Sequence, residues 1–209
     1  MKIAVFGATG GTGNEVVKQA LEAGHEVTAF VRDAARLSIQ NEKLTVVMGD
    51  VFDADSVAKA VQGQDAVVCA LGAGSDLKKT TVRTTGTVNM INVMQQVNGT
   101  KQRLIVVTAM GTGESWDDMS LLNKFFYAVL LKNTREDHEA QEAAIKESGL
   151  DWTIIRPSGL SDKPLTGAYH VGQRVSAKTS EISRADVADL ILNELEQKIW
   201  IGKAITITG

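Results

Sequence analysis

Residues Lys2–Gly13 read KIAVFGATGGTG, and this stretch decides the fold. Ile3, Ala4, Val5 and Phe6 form a short continuous apolar run, the pattern of a parallel strand buried on both faces. Glycines follow at a spacing of three, at Gly7, Gly10 and Gly13. Gly7 permits a sharp turn off the strand, and Gly10 lets backbone approach a pyrophosphate. Gly13 lets the next helix pack closely on the sheet. That helix carries Val16, Val17, Ala20 and Leu21 on one face, so its free first-turn amides point at the phosphates. Thr9, Gly11 and Thr12 complete the loop, and its setting between strand and helix predicts dinucleotide binding.

The bulk properties narrow the classes. With 209 residues, 44% hydrophobic and 22% charged, the chain reads as a single domain over residues 1–209 with a sizeable core, which the glycine loop makes a Rossmann-like NAD(P)-binding one. A formal charge of −3 gives no basic field, which argues against nucleic acid. No apolar stretch reaches the roughly 20 residues that span a bilayer, and the chain starts on a strand, so no membrane partner is expected. Cys69, the one cysteine, lies in an apolar run and reads as a small core residue. A cytoplasmic location follows as the default, with a monomer favoured and no metal site expected.

Outward from the glycine loop, strands and helices alternate. Strands are expected at Glu26–Val31, Leu44–Met48, Asp65–Leu71, Arg103–Thr108, Asp151–Arg156 and Ala204–Thr208. Helices are expected at Asp53–Val61, Thr80–Val97, along the Leu121–Leu130 stripe, at Arg135–Ser148 and after a Ser183 cap. This predicts an α/β, doubly wound parallel sheet of about seven strands, ordered 3-2-1-4-5-6-7, with helices on both faces. Residues 158–182 show no strong period and read as a long irregular loop, a length that marks a functional, substrate-facing segment. The ligand crevice then lies outside the carboxyl ends of strands one, four, five and six. It gathers Gly7–Gly13, Leu71–Gly74, Thr108–Gly111 and Pro157–Gly159, with Leu71, Gly72, Thr108 and Pro157 as the expected cofactor contacts.

At the tip of strand two stand Arg32 and Arg36, whose guanidinium groups match a 2′-phosphate in shape and charge. Asp33 keeps NAD open, and a solvated basic turn is the alternative reading. After strand three, Asp50 and Val51 flank the adenine position. There Asp50 either accepts from the adenine amine or caps local backbone.

The motifs GATGGTG (Gly7–Gly13) and WTIIRP (Trp152–Pro157) resemble the atypical short-chain dehydrogenase/reductase family. Further shared stretches are VRDAARL (Val31–Leu37), GDV (Gly49–Val51), GQDAVV (Gly63–Val68), SGL (Ser148–Leu150) and LTGAY (Leu165–Tyr169). They place the likeness nearest the family's NADPH-dependent flavin and biliverdin reductases. The resemblance implies NADPH, held by Gly7, Gly10, Thr12, Gly13, Arg32 and Arg36. It also implies hydride transfer to a small planar acceptor: a flavin such as FMN or riboflavin, or a linear tetrapyrrole. The chain departs from the pattern at Ala109 (a serine expected, with Thr108 adjacent), Gly159 (a histidine) and Gly74 (an arginine). His138 falls where the resemblance places another pocket histidine.

Ordinary short-chain dehydrogenases use a Tyr-x-x-x-Lys pair on one helix face, the lysine lowering the tyrosine pKa for proton exchange with an alcohol. Tyr127 has Lys132 five positions on, about 140° around a helix and off its face. Tyr169 has no lysine at that spacing. Alcohol–ketone and sugar-epimerase chemistry are therefore disfavoured. Flavin reduction asks less: the cofactor carries the hydride, the protein aligns two rings, and solvent supplies the proton. Thr108, His138 and Tyr169 remain the catalytic candidates. The alternative is a non-catalytic NADP(H)-sensing regulator of the same fold.

Overall fold

The computed structural model describes residues 1–72, 79–96, 102–116, 132–175 and 181–209. Alternate residues of its central strands face opposite layers, which explains why those strands read as unbroken apolar runs. In β1 (Lys2–Phe6), Ile3 and Val5 pack into one hydrophobic cluster while Ala4 and Phe6 pack into another. The first cluster is closed by α1 (Gly11–Glu22) and the helix Arg184–Gln197. The second is closed by α2 (Ala54–Val61), α3 (Val82–Gln96) and α4 (Lys132–Glu147), the helix Arg184–Gln197 being α5. These two layers make the sheet doubly wound. Phe6 and Phe30 meet within the second layer at 4.7 Å between ring centroids.

The remaining strands are β2 (Glu26–Val31), β3 (Leu44–Met48), β4 (Ala66–Cys69), β5 (Arg103–Val107), β6 (Asp151–Pro157), β7 (Gly159–Ser161), β8 (His170–Gly172), β9 (Glu181–Ser183) and β10 (Lys203–Thr208). The main sheet is ordered β3-β2-β1-β4-β5-β6-β10-β8, with every pair parallel except β10–β8. The expected seven-strand order is reproduced from β3 to β10. The eighth strand and the small parallel β7–β9 pair correct the reading of 158–182 as irregular. Three residues are too few to carry a period. These strands exist because β10 has a free edge and β7 and β9 have each other.

Polar contacts, one long-range and one local, fix two helix starts at the crevice. Asp137 of α4 accepts from the backbone N–H of Arg83 and Thr84 at 3.3 and 3.0 Å, capping α3 from a neighbouring helix. Ser183 caps α5, its Oγ accepting from Asp186 N at 2.9 Å, as expected. The Leu121–Leu130 stripe, Tyr127, Gly74 and residues 176–180 of the irregular region lie outside the described residues. Cys69 is free and buried.

Candidate functional site: a dinucleotide crevice

The glycine loop divides its tasks between fold and ligand. Gly7 has φ +84°, and a Cβ there would stand 2.3 Å from the Ala70 carbonyl oxygen, so β1 turns where β4 passes against it. A Cβ on Gly13 would stand 2.2 Å from the Gly7 oxygen, which ties close packing of α1 to the turn itself. Gly10 differs. Its φ is −85°, open to any residue, and the nearest atom to an added Cβ is 3.2 Å away. The bare backbone at Gly10 serves approach from outside, which fits a pyrophosphate. Among the described residues no side chain caps α1, and its first turn holds no acid, so its leading amides are available to an anion. A cavity of about 290 Å³ opens here, between Thr9–Gly11 on one wall and Asp162, Lys163 and Arg184 on the other.

At the end of β2, Arg32 and Arg36 are exposed, and neither has an acidic partner among the described residues. The Asp33 carboxylate is turned to its own loop, accepting from Ala35 N at 3.0 Å. Asp50, also exposed, accepts from Phe52 N at 3.0 Å, while the carbonyl of buried Val51 takes the Asn89 amide at 2.7 Å. Leu71 and Val51 both lean on Gly86 of α3, where a Cβ would meet Leu71 Cδ1 at 2.7 Å. Gly86 thus seats Leu71 and Val51 at the crevice edge.

Opposite, Thr108 N donates to the Ile155 carbonyl at 2.8 Å and Met110 N to the Pro157 carbonyl at 2.9 Å, running 108–110 beside 155–157. The Thr108 hydroxyl points back into the protein, donating to Glu142 Oε1 at 3.0 Å. Glu142 also receives Arg156, which reaches on to Glu114 at 2.8 Å. Hydrogen bonding from Arg156 holds the Glu114 carboxyl down to about 2. The fully buried Arg156 side chain and its partner Glu142 are participants that pattern reading passed over. An arginine inside the apolar run of β6 was their signal.

His138 sits in the second turn of α4, buried, with Nδ1 3.1 Å from Gln141 Oε1. An amide oxygen only accepts, so Nδ1 carries the proton and Nε2 is the basic nitrogen. Burial, with the Arg83 charge nearby, pushes the pKa down to about 4, and the ring is neutral at ordinary pH. Gln141 passes its own amide hydrogens to Thr87 Oγ1 at 2.9 Å and towards Cys69 Sγ at 3.8 Å.

Tyr169 stands apart from this group. It packs against the α1–α5 layer, and its hydroxyl donates to Asp189 Oδ2 at 2.6 Å. Burial and that carboxylate raise its pKa to about 12. The rest of LTGAY is pinned as well: Thr166 N and Gly167 N each donate to Asp186 Oδ1 at 2.9 Å. The structure therefore gathers the glycine loop, Leu71, Gly72, Thr108 and Pro157 at one edge. Arg32, Arg36, Asp50 and Val51 lie beyond β1 on that edge, and Tyr169 lies on the other face of the sheet.

The profile of the NAD(P)H-binding family matches residues 7–198, from the first loop glycine to the end of α5. The chain belongs to the NAD(P)H-binding family. It is of the atypical short-chain dehydrogenase/reductase type, and NAD(P)H is its cofactor. The uncharacterised protein YwnB of Bacillus subtilis is 32% identical to it over 207 residues, covering 94% of this chain and 92% of YwnB. A Streptococcus pneumoniae protein with the provisional name NADH-flavin reductase superposes with a TM-score of 0.81 at 25% identity, covering 100% and 99% of the two chains. The anaerobilin reductase ChuY of Escherichia coli shares the fold at TM-score 0.80 and 24% identity, covering 100% and 97%. No described helix of this NAD(P)H-binding protein is long and apolar enough to cross a membrane. Its family and fold support a reductase or dehydrogenase in general terms.

Proposed function

We propose that the chain is an NADPH-dependent reductase, a single cytoplasmic unit over residues 1–209, that delivers hydride to a flavin or a linear tetrapyrrole. In this reading it resembles biliverdin reductase B, the NADPH-flavin reductase. The pair Arg32 and Arg36, exposed and free of acidic partners among the described residues, supports the 2′-phosphate of NADPH. The acceptor class rests on one observation: each candidate proton donor is committed elsewhere. The Thr108 hydroxyl goes to Glu142, the Tyr169 hydroxyl to Asp189 and the His138 N–H to Gln141. Such a site suits an acceptor that needs hydride and ring alignment, with its proton from solvent.

When bound, the nicotinamide supplies the hydride. The chain's own residues do the rest. The first-turn amides of α1 and bare Gly10 hold the pyrophosphate, the arginines take the 2′-phosphate, and Leu71, Gly72, Thr108 and Pro157 border the reacting rings. The segment 158–175 borders the acceptor. The test is NADPH and NADH oxidation with FMN, riboflavin and biliverdin as separate acceptors. Turnover with at least one supports the reading, whereas tight NADPH binding without turnover of any of them favours the sensing regulator instead.

A further inference from the structure

We infer that the Ser158 hydroxyl is a ligand-contacting group of the crevice, reserved for the amide edge of a ring bound there. The inference rests on the NAD(P)H-reductase reading above. Ser158 follows Pro157 at the carboxyl end of β6, and its N–H continues the ladder to the Ile207 carbonyl at 3.0 Å. Strand alternation puts Ile154, Arg156 and Ser158 on the α4 side, because Ile154 packs in that layer and Arg156 pairs with Glu142 of α4. Thr108, at the end of the adjacent strand, also points to that side, to the same Glu142. Ser158 therefore shares both an edge and a face with the far end of the dinucleotide crevice.

Its hydroxyl is the exception among its neighbours. Ser158 is 8% exposed, and Oγ is buried with no hydrogen-bond partner among the described residues. Five other buried side-chain atoms share that condition, but their settings differ. Those of Gln64, Gln102 and Arg103 lie at the opposite edge of the sheet, where β4 and β5 begin. The Arg83 guanidinium is already bonded to Asp137 through Nη1. Thr206 lies inside β10, opposite Arg156. Among the described residues, Ser158 alone combines an unpaired side chain with a position at the ligand edge. A buried hydroxyl without a partner is costly, so a protein that keeps one has a use for it.

The use has a chemical definition. A hydroxyl both donates and accepts, which matches an amide, and both candidate rings carry one: the nicotinamide carboxamide and the flavin imide. The Met110 N to Pro157 carbonyl bond sets 109–110, just past β5, beside 157–158, so Ser158 stands where the ends of two neighbouring strands meet at the crevice.

The experiment compares wild type with Ser158→Ala by thermal unfolding, by titration of NADP+ and of adenosine 2′,5′-bisphosphate, and by the KM for FMN. The expected result is an unfolding midpoint at or slightly above wild type, since no protein hydrogen bond is lost. Binding of adenosine 2′,5′-bisphosphate, which has no nicotinamide, should be unchanged. Weakening of roughly five- to tenfold in NADP+ affinity assigns the hydroxyl to the carboxamide, and a similar rise in the FMN KM alone assigns it to the imide. If neither moves, or if the midpoint falls by several degrees with both intact, Ser158 is a structural residue and the inference is overturned. A wild-type protein that neither binds NADP+ nor reduces FMN would instead sink the reductase reading.

Discussion

Arg156 and Glu142 form a buried two-point ion pair across the interface of β6 and α4. Nε donates to Oε1 at 2.9 Å and Nη2 to Oε2 at 2.5 Å. Their side chains are 1% and 3% exposed. The pair also holds Thr108 on one side and Glu114 on the other, so it sets the path of the chain leaving β5. Gly113 belongs to the same arrangement, since a Cβ there would come within 2.7 Å of Arg156 Nη2.

Replacing Glu142 by Ala leaves a buried guanidinium with only the exposed Glu114 to meet it. Breaking such a pair costs about 3–5 kcal/mol. In a protein of this size that is roughly a 10 °C fall in unfolding midpoint. Scanning calorimetry checks it, and a shift below about 2 °C would mean that the pair is dispensable.

Cofactor choice depends on Arg32 and Arg36. Loss of one charge-assisted contact to a phosphate costs about 1.5–3 kcal/mol, tenfold or more in affinity. Arg32→Ala should weaken NADPH by that factor and leave NADH almost unchanged. Titration of both cofactors decides it. Equal affinities for NADPH and NADH in the wild type would remove the basis for the claim.

His138 predicts a pH dependence with a definite sign. Its pKa is lowered on folding from 6.5 to about 4, so between those values the unfolded chain binds the additional proton. Stability therefore falls as pH drops through that window, by up to ~3 kcal/mol from this residue. His138→Gln should flatten the slope in urea unfolding between pH 7 and 4. The same variant should lower FMN reduction by less than about tenfold at pH 6–9, since a positioned acid contributes 10²–10⁴-fold. A hundredfold loss with binding intact would establish His138 as a dedicated acid.

The layers and the glycine loop were legible because each rests on local rules: apolar runs of strand length, spaced glycines and a serine cap at Ser183. Gly7 and Gly13 could be read without coordinates, since their tasks recur wherever this turn recurs. The short strands β7 to β9 could not, because they depend on which edges happen to be free. Nor could the commitments of Thr108 and Tyr169. Their partners Glu142 and Asp189 lie 34 and 20 residues away in sequence and are chosen by tertiary packing. Arg156 was visible as an oddity in an apolar strand, though its acid was not.

The segment after β6 reads from the sequence as a long irregular loop, and the structure anchors its centre on one carboxylate. Asp186 Oδ1 accepts from Thr166 N and Gly167 N, and Ser183 Oγ donates to Oδ2 at 2.7 Å. Burial alone would raise this carboxyl, yet the hydrogen bonds from Ser183, Thr166 and Gly167 hold it below the usual range. A carboxylate lowered on folding contributes stability above its unfolded pKa and loses it as pH falls through the folded one, so the anchor should weaken in acid. Asp186→Ala removes the anchor and part of the α5 cap, a loss of about 1–2 kcal/mol. Each 1.4 kcal/mol is tenfold in local opening, so amide exchange at Thr166 and Gly167 should rise about tenfold while β1 and β4 stay protected. Under the proposed function the KM for the acceptor should rise as well, with NADPH affinity unchanged. Hydrogen exchange read at single residues is the measurement. Unchanged protection at Gly167 in the variant would show that the loop is held by something other than Asp186.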